Sequence, residues 1–415
     1  MSDRNHPVRP RTAVLTAGFD PALSVGSARP AVFRSSTYVF QSPEQAEQAF
    51  ALTTGKVKPQ NGDRADLIYS RFSHPNAEIL EDQIVPLDAG GQYAAVFNSG
   101  MAAIMTVLFA FGRPDSTLVY TTPLYGGTTG LIHRFLAPLG VKGIPVPSGD
   151  TEAIEAAIRS AHNCCMVLLE TPANPTMIMT DIERAATAAA QHPDKPLVLV
   201  DNTFLGPCFQ HPLMLGAHIT LYSATKYLSG NSDMLGGVAI TASAEHVQKI
   251  RSVRGMFGNI MQPDECWMLD GRLSTVALRM NRQSKNAQRI AEALHAHKLL
   301  SRVIYPTLFT DPEQKRIFEK QCDYPGGMFS IEFAGGKEAA FEFLRHIRIA
   351  RNAVSLGGVE SLTCHPKSTT HSGMSPQELA ESGVTDGLVR VSVGIEDWRD
   401  LLADFEQALA AVAGH

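Results

Sequence analysis

Between residues 93 and 222 the chain alternates short apolar runs with longer amphipathic stretches. Tyr93–Phe97, Leu118–Tyr120, Met166–Leu169, Leu197–Val200 and Ile219–Tyr222 are each only a few residues long and do not alternate strictly with polar positions. Such runs suit strands of a parallel sheet that is covered on both faces. Met101–Phe111, Thr151–Ser160 and Ile182–Ala190 carry helical patterns between them. Strands alternating with helices predict a βαβ domain over about residues 65–262. Before it, residues 1–64 are rich in turn formers, among them Gly18, Pro21, Gly26, Pro30 and the segment Gly55–Gly62. This region reads as an extended arm. After it, residues 263–415 open with helical patterns over Asp264–His297. Strands are expected at Met328–Phe333 and Leu388–Val393, and a closing helix at Asp397–Val412. The fold class is therefore α/β: a large, mostly parallel sheet domain, a smaller C-terminal α/β domain and an N-terminal arm. Neither internal repeats nor low-complexity tracts are evident.

Composition narrows the function classes. With 44% hydrophobic and 19% charged residues the 415-residue chain has the balance of a globular protein with a large core. A net charge of -5 gives no reason to expect nucleic acid or an anionic membrane as a partner. The longest apolar run, about Ala102 to Phe111, is too short to span a bilayer. The polar, basic start MSDRNHPVRPRT reads as neither a signal peptide nor an anchor. Six cysteines occur without a C-x-x-C pair or zinc-type spacing, which points to free thiols in a reduced, cytoplasmic protein.

In open parallel sheets, ligands sit beyond the carboxyl ends of the strands, so the residues that follow each run are candidates. Ser223-Ala-Thr-Lys226 follows Ile219–Tyr222. A partly desolvated lysine there is a competent nucleophile for a carbonyl, and Ser223 and Thr225 can donate to a phosphate. Asp201 follows Leu197–Val200; a carboxylate there can pair with a protonated pyridine nitrogen. Asn98-Ser-Gly-Met101 opens a helix, where Gly100 and Met101 can offer backbone amides to an anion. Tyr125, followed by two glycines, suits stacking on a flat ring. Asn174, in Glu170-Thr-Pro-Ala-Asn174-Pro175, can hydrogen-bond a ring oxygen. Arg71, in Tyr69-Ser-Arg71, offers a fork for phosphate, and Ser355 with Arg390 can clamp a substrate carboxylate. Taken singly, each has a blander explanation: a surface lysine or arginine, a helix cap, a turn, a core tyrosine. No metal is expected. His365 and His371 lack an H-E-x-x-H pattern and read as loop or core histidines. Neither a G-x-S-x-G elbow nor a P-loop is present.

Taken together and in order, these segments resemble the enzymes of Cys/Met metabolism that use pyridoxal 5'-phosphate (PLP). That family includes cystathionine γ-synthase, cystathionine γ-lyase, methionine γ-lyase and O-acetylhomoserine sulfhydrylase. The resemblance runs from about Gly18 to the terminal helix. It is most specific at Tyr69-Ser-Arg-Phe-Ser-His-Pro75, Asn98-Ser-Gly-Met101, Glu170-Thr-Pro-Ala-Asn-Pro175, Val200-Asp-Asn-Thr203, Ser223-Ala-Thr-Lys-Tyr227 and Val354-Ser-Leu-Gly-Gly358. It implies the PLP-dependent transferase fold type I with a seven-stranded sheet. It also implies that Lys226 holds the cofactor as a Schiff base and then moves protons, while Asp201 holds the ring nitrogen. Tyr125 would stack on the ring and assist as acid or base, and Asn174 would meet the phenolic oxygen. Gly100, Met101, Ser223 and Thr225 would hold the phosphate. Tyr69 and Arg71 would reach the phosphate of a neighbouring subunit, giving a dimer within a homotetramer. Ser355 and Arg390 would bind the carboxylate of a small amino-acid substrate.

The resemblance departs from the family at two places and is informative at a third. Asn231 stands where the family often has His. Gly127 stands where methionine γ-lyases typically carry Cys. Val354 stands where cystathionine-handling members often carry Glu to meet a distal ammonium, and His365–His371 looks closer to the methionine γ-lyase and O-acetylhomoserine branches. The expected activity is γ-elimination from methionine or a similar amino acid, giving α-ketobutyrate, ammonia and a thiol. The alternative is γ-replacement on an O-acylated homoserine. A non-catalytic PLP-binding protein is disfavoured because Lys226, Asp201, Tyr125 and Arg390 are all present.

Overall fold

The computed structural model describes residues 8–57 and 66–414. The expected segment Gly55–Gly62 lies partly outside them. Seven strands form the large sheet: β1 (Tyr93–Phe97), β2 (Thr117–Thr122), β3 (Lys142–Pro147), β4 (Cys164–Glu170), β5 (Leu197–Asp201), β6 (Ile219–Ser223) and β7 (Gly237–Thr241). Their order is β1-β7-β6-β5-β4-β2-β3. β7 pairs antiparallel with both β1 and β6, and every other pairing is parallel. Six strands therefore point the same way, and their carboxyl ends share one edge.

β4 shows why these runs are apolar throughout. All seven of its residues are buried. Met166 and Leu168 pack into the core on one face with Phe97, Val107 and Leu199. Val167 and Leu169 pack on the other with Ile154, Ile158 and Ile182. Successive side chains of a strand point to opposite faces, so a strand covered on both sides needs an apolar residue at every position. The helices Gly100–Phe111, Thr151–Ser160 and Ile182–Gln191 lie between strands, as the pattern predicts. Their first turns are closed by Ser99, Asp150 and Asp181, each accepting a backbone N–H two or three residues into the helix.

Beyond the sheet, the pattern over Asp264–His297 resolves into two helices, Pro263–Leu273 and Val276–Leu294, broken at Ser274-Thr275. A five-stranded sheet follows: β8 (Leu300–Ile304), β9 (Met328–Phe333), β10 (Arg351–Asn352), β11 (Leu362–Cys364) and β12 (Leu388–Ser392), in the order β10-β11-β12-β9-β8. Helices Val276–Leu294, Gly336–His346 and Trp398–Ala413 share its apolar core. The N-terminal region contains an 11-residue helix, Pro43–Thr53, which the turn-rich sequence does not announce. Among the described residues no helix is long and apolar enough to cross a membrane.

One buried ionic cluster braces the β1 side of the large sheet. Glu81 and Arg254 are 1% and 2% exposed. Glu81 bonds Arg254 at 2.6 Å and Arg251 at 2.5 Å, and accepts the Val96 N–H at 3.0 Å. Burial pushes the Glu81 carboxyl up, but the two guanidiniums more than offset this and hold it below the usual range.

Candidate functional site

A cavity of about 830 Å³ opens at the shared carboxyl edge of the large sheet. Lys226, just past β6, is half-buried in it and donates from Nζ to Ser355 Oγ at 2.9 Å. Burial, helped by the charge of Arg390, lowers this amine from 10.5 to about 8. Such an amine is partly neutral near physiological pH and can attack a carbonyl.

Asp201 ends β5. Its Oδ1 accepts the Thr203 hydroxyl at 2.6 Å and the Thr203 N–H at 3.1 Å. Burial raises its carboxyl, and the Thr203 contacts oppose that rise. A protonated ring nitrogen is the kind of partner that stabilises a carboxylate in this position. Beside it, Glu170 ends β4 as the register neighbour of Asp201. Tyr125 and Asn174 both line the cavity. Tyr125 is 47% exposed, open to receive a flat partner. Gly127 provides the room in which this ring sits, since a Cβ there would lie 2.7 Å from Tyr125 Cε1 and 2.9 Å from Met101 Sδ.

The phosphate candidates converge as well. Gly100 opens its helix directly beside Ser223, and a Cβ on it would fall 2.8 Å from Ser223 Cβ. Only glycine allows that approach, which places the helix N-terminus with its free N–H groups and positive dipole end next to the Ser223 hydroxyl. Met101, Ser223 and Thr225 also line the cavity. Thr225 Oγ1 accepts the Gly236 N–H at 3.0 Å.

The smaller sheet contributes the opposite wall. Arg390, in β12, is 3% exposed. It donates to Asn174 Oδ1 at 3.1 Å and to Ser355 O at 2.7 Å, while its Nε is buried with no partner among the described residues. The residue borders the cavity, where its fixed charge and planar fork suit a substrate carboxylate. Ser355 adopts φ 89°, a left-handed conformation that L residues rarely adopt. His371 is buried, meets Asn174 O at 3.2 Å, and is lowered by burial to about 4, so it stays neutral. His365 is likewise buried, with its ring nitrogens at Ser368 and Asp386 O.

Ten of the twelve candidate residues thus meet in one cavity: Gly100, Met101, Tyr125, Asn174, Asp201, Ser223, Thr225, Lys226, Ser355 and Arg390. Tyr69 and Arg71 do not line it. Tyr69 pairs with Thr37 and is 42% exposed. Arg71 is held by Gly255 O, with its guanidinium 4.8 Å from the Phe72 ring. Sequence reasoning passed over Glu170, Thr203 and Leu235 as site residues. Glu170 was findable, because it is an acid at a strand's carboxyl end just as Asp201 is.

An amine of lowered pKa, an acid at a strand end, a helix N-terminus for phosphate and a guanidinium on the cavity wall together fit a pyridoxal phosphate and an α-amino acid. Comparison with known proteins agrees. The chain is 38% identical over 404 residues to the L-methionine gamma-lyase of Pseudomonas putida, covering 97% of each chain. It is 38% identical over 352 residues to the cystathionine gamma-lyase of Bacillus subtilis, covering 85% of this chain and 91% of that one. The crystal structure of cystathionine gamma synthase from Xanthomonas oryzae pv. oryzae in complex with cystathionine superposes with a TM-score of 0.89 at 32% identity, covering 99% of this chain and 100% of that one. A family model described as Cys/Met metabolism PLP-dependent enzyme matches residues 11–410, and the chain belongs to that family of enzymes, which act on γ-substituted amino acids with pyridoxal 5'-phosphate as cofactor.

Proposed function

We propose that this enzyme is a carbon–sulfur γ-lyase that acts on methionine or a similar amino acid with an uncharged side chain. The observation that carries this reading is how charge is distributed around the cavity. Among the described residues, its charged lining side chains are Glu170, Asp201 and Lys226 at the edge of the large sheet and Arg390 on the opposite wall. Elsewhere the lining includes Met101, Ile104, Leu235, Val354 and Leu356, with Val354 54% exposed. Among the described residues no further charged side chain there answers the second ammonium and carboxylate of cystathionine, whereas a thioether is at home.

The cofactor, when bound, supplies an electron sink for negative charge developed at the substrate α-carbon. Gly100, Met101, Ser223 and Thr225 hold its phosphate, Asp201 its ring nitrogen, Asn174 its phenolic oxygen and Tyr125 its face. Arg390 and Ser355 take the substrate carboxylate, which fixes the α-carbon relative to Lys226. The Lys226 amine, neutral in part because of its lowered pKa, accepts the α-proton and can then move protons that open the way for loss of the γ-thiol. The Tyr125 hydroxyl is the second proton-carrying group. Tyr69 and Arg71 serve the phosphate of a neighbouring subunit, in a dimer within a homotetramer; their position outside their own cavity suits that role. The six free cysteines suit a reducing, cytoplasmic setting.

The test is to offer the PLP-loaded enzyme methionine, cystathionine and O-acetylhomoserine, the last with and without a thiol. α-Ketobutyrate from methionine, without any dependence on thiol, is expected. Thioether formed from O-acetylhomoserine, with no keto acid from methionine, would establish γ-replacement instead. That second reading is favoured by Gly127 and by the likeness to cystathionine γ-synthase.

A further inference from the structure

Two acids end adjacent strands at the cavity, and the proposed chemistry uses only one of them. Glu170 is 7% exposed, and its side chain is committed to main-chain groups on two separate loops. Its Oε2 accepts the N–H of Tyr125 at 2.7 Å, and its Oε1 accepts the N–H of Asn174 at 3.4 Å. Its own N–H donates to Thr121 Oγ1 at 3.1 Å, tying it also to β2. One side chain therefore bridges the start of the Tyr125 loop and the Asn174 turn.

A carboxyl is a costly choice for this post. Burial, and secondarily the charge of Asp201, push it up to about 8. What it offers in return is geometric. In either protonation state a carboxyl presents two oxygens that can accept, whereas an amide presents one and turns a donor towards the other N–H. Tyr125 is about half exposed, so its placement leans on its backbone and on the space above Gly127. We propose that Glu170 is a positioning residue for the cofactor: by accepting the main-chain N–H groups of Tyr125 and Asn174 it couples the grip on the ring face to the grip on the ring edge. This rests on the roles proposed above for Tyr125 and Asn174, and holds whatever the substrate.

The test titrates the cofactor-free protein with pyridoxal 5'-phosphate, by fluorescence, in wild type, Glu170→Gln, Tyr125→Ala, Asn174→Ala and the Glu170→Gln/Asn174→Ala double variant. Visible circular dichroism of the bound cofactor is recorded for each. Glu170→Gln is expected to weaken cofactor binding roughly tenfold and to reduce the dichroism. In the double variant the two losses should add to less than their sum, because both act through the same turn. Glu170→Asp, which keeps two acceptors with a shorter reach, should recover part of the loss. If Glu170→Gln does not fold, Glu170→Asp is compared directly with wild type and should show a weaker form of the same change. Unchanged affinity and dichroism in the Glu170 variants, with losses in Tyr125→Ala and Asn174→Ala, would overturn the inference alone. Strict additivity would also overturn it. Normal binding in Tyr125→Ala and Asn174→Ala would instead refute the roles on which it rests.

Discussion

Replacing Arg390 by lysine keeps the positive charge and removes the fork. In the folded protein the guanidinium donates to Asn174 Oδ1 at 3.1 Å and to Ser355 O at 2.7 Å while bordering the cavity. A lysine at the same site has three donors on one rotating atom and cannot serve those two acceptors and a carboxylate with the same directionality. The expected loss is that of one hydrogen bond to a charged group, about 1.5–3 kcal/mol, or about 10- to 100-fold in kcat/KM. The assay is steady-state thiol release from the amino-acid substrate, run beside the matching amine that lacks the carboxylate. With the amino acid the variant should fall by that factor. With the amine, wild type and variant should be equally slow. A variant within about threefold of wild type on the amino acid, or one that loses as much on the amine, would refute the assignment of Arg390 to the carboxylate.

Three further outcomes follow from the geometry. Because the Lys226 amine sits at about 8 and not 10.5, capture of pyridoxal 5'-phosphate by the cofactor-free protein should rise with pH and level off above about 8; at pH 7 roughly a tenth of such an amine is neutral, and the rate should fall about tenfold for each further unit of acidity. A capture rate that keeps climbing to pH 10 would contradict this. Gly127→Val, which adds a branched side chain, should push the Tyr125 ring off its seat, lowering kcat and altering the visible dichroism at a packing cost of about 1–3 kcal/mol, since the new Cβ lies 2.7 Å from the ring; unchanged kcat would show that the ring does not need that space. Glu81→Gln should lower stability by about 3–5 kcal/mol, because it strands the buried Arg254 guanidinium. The half-exposed pair Arg302–Glu332 provides the control, and Glu332→Gln should cost under about 1 kcal/mol in the same denaturation series.

The strands that carry the site were legible because burial on both faces leaves a continuous apolar run. Tyr93–Phe97 and Met328–Phe333 match their predicted bounds, and the others differ by one or two residues at their ends. β3 was missed for a physical reason. It contains Pro145 and Pro147 and lies at the edge of the sheet, where a missing N–H is tolerated, so its composition reads as loop. β7, a five-residue run behind Gly236, gives no periodic signal of its own, and its antiparallel direction is set by tertiary pairing. Eight of the ten residues that converge on the cavity were legible as strand-end chemistry, and Ser355 and Arg390 as a carboxylate clamp by arginine fork geometry. The Nε of Arg390 was not, because an unpaired donor exists only once the surrounding acceptors have been placed.

Ser355 joins two sheets that are otherwise distinct in the sequence. Its hydroxyl receives the Lys226 amine, anchored after β6, while its carbonyl receives Arg390 from β12. It does so from a backbone conformation that costs about 1–3 kcal/mol for a residue with a Cβ. The nucleophile and the carboxylate clamp are thus referenced to a single tense hinge pin. Any displacement of the smaller sheet against the larger would therefore bear on the amine and the guanidinium through this one residue.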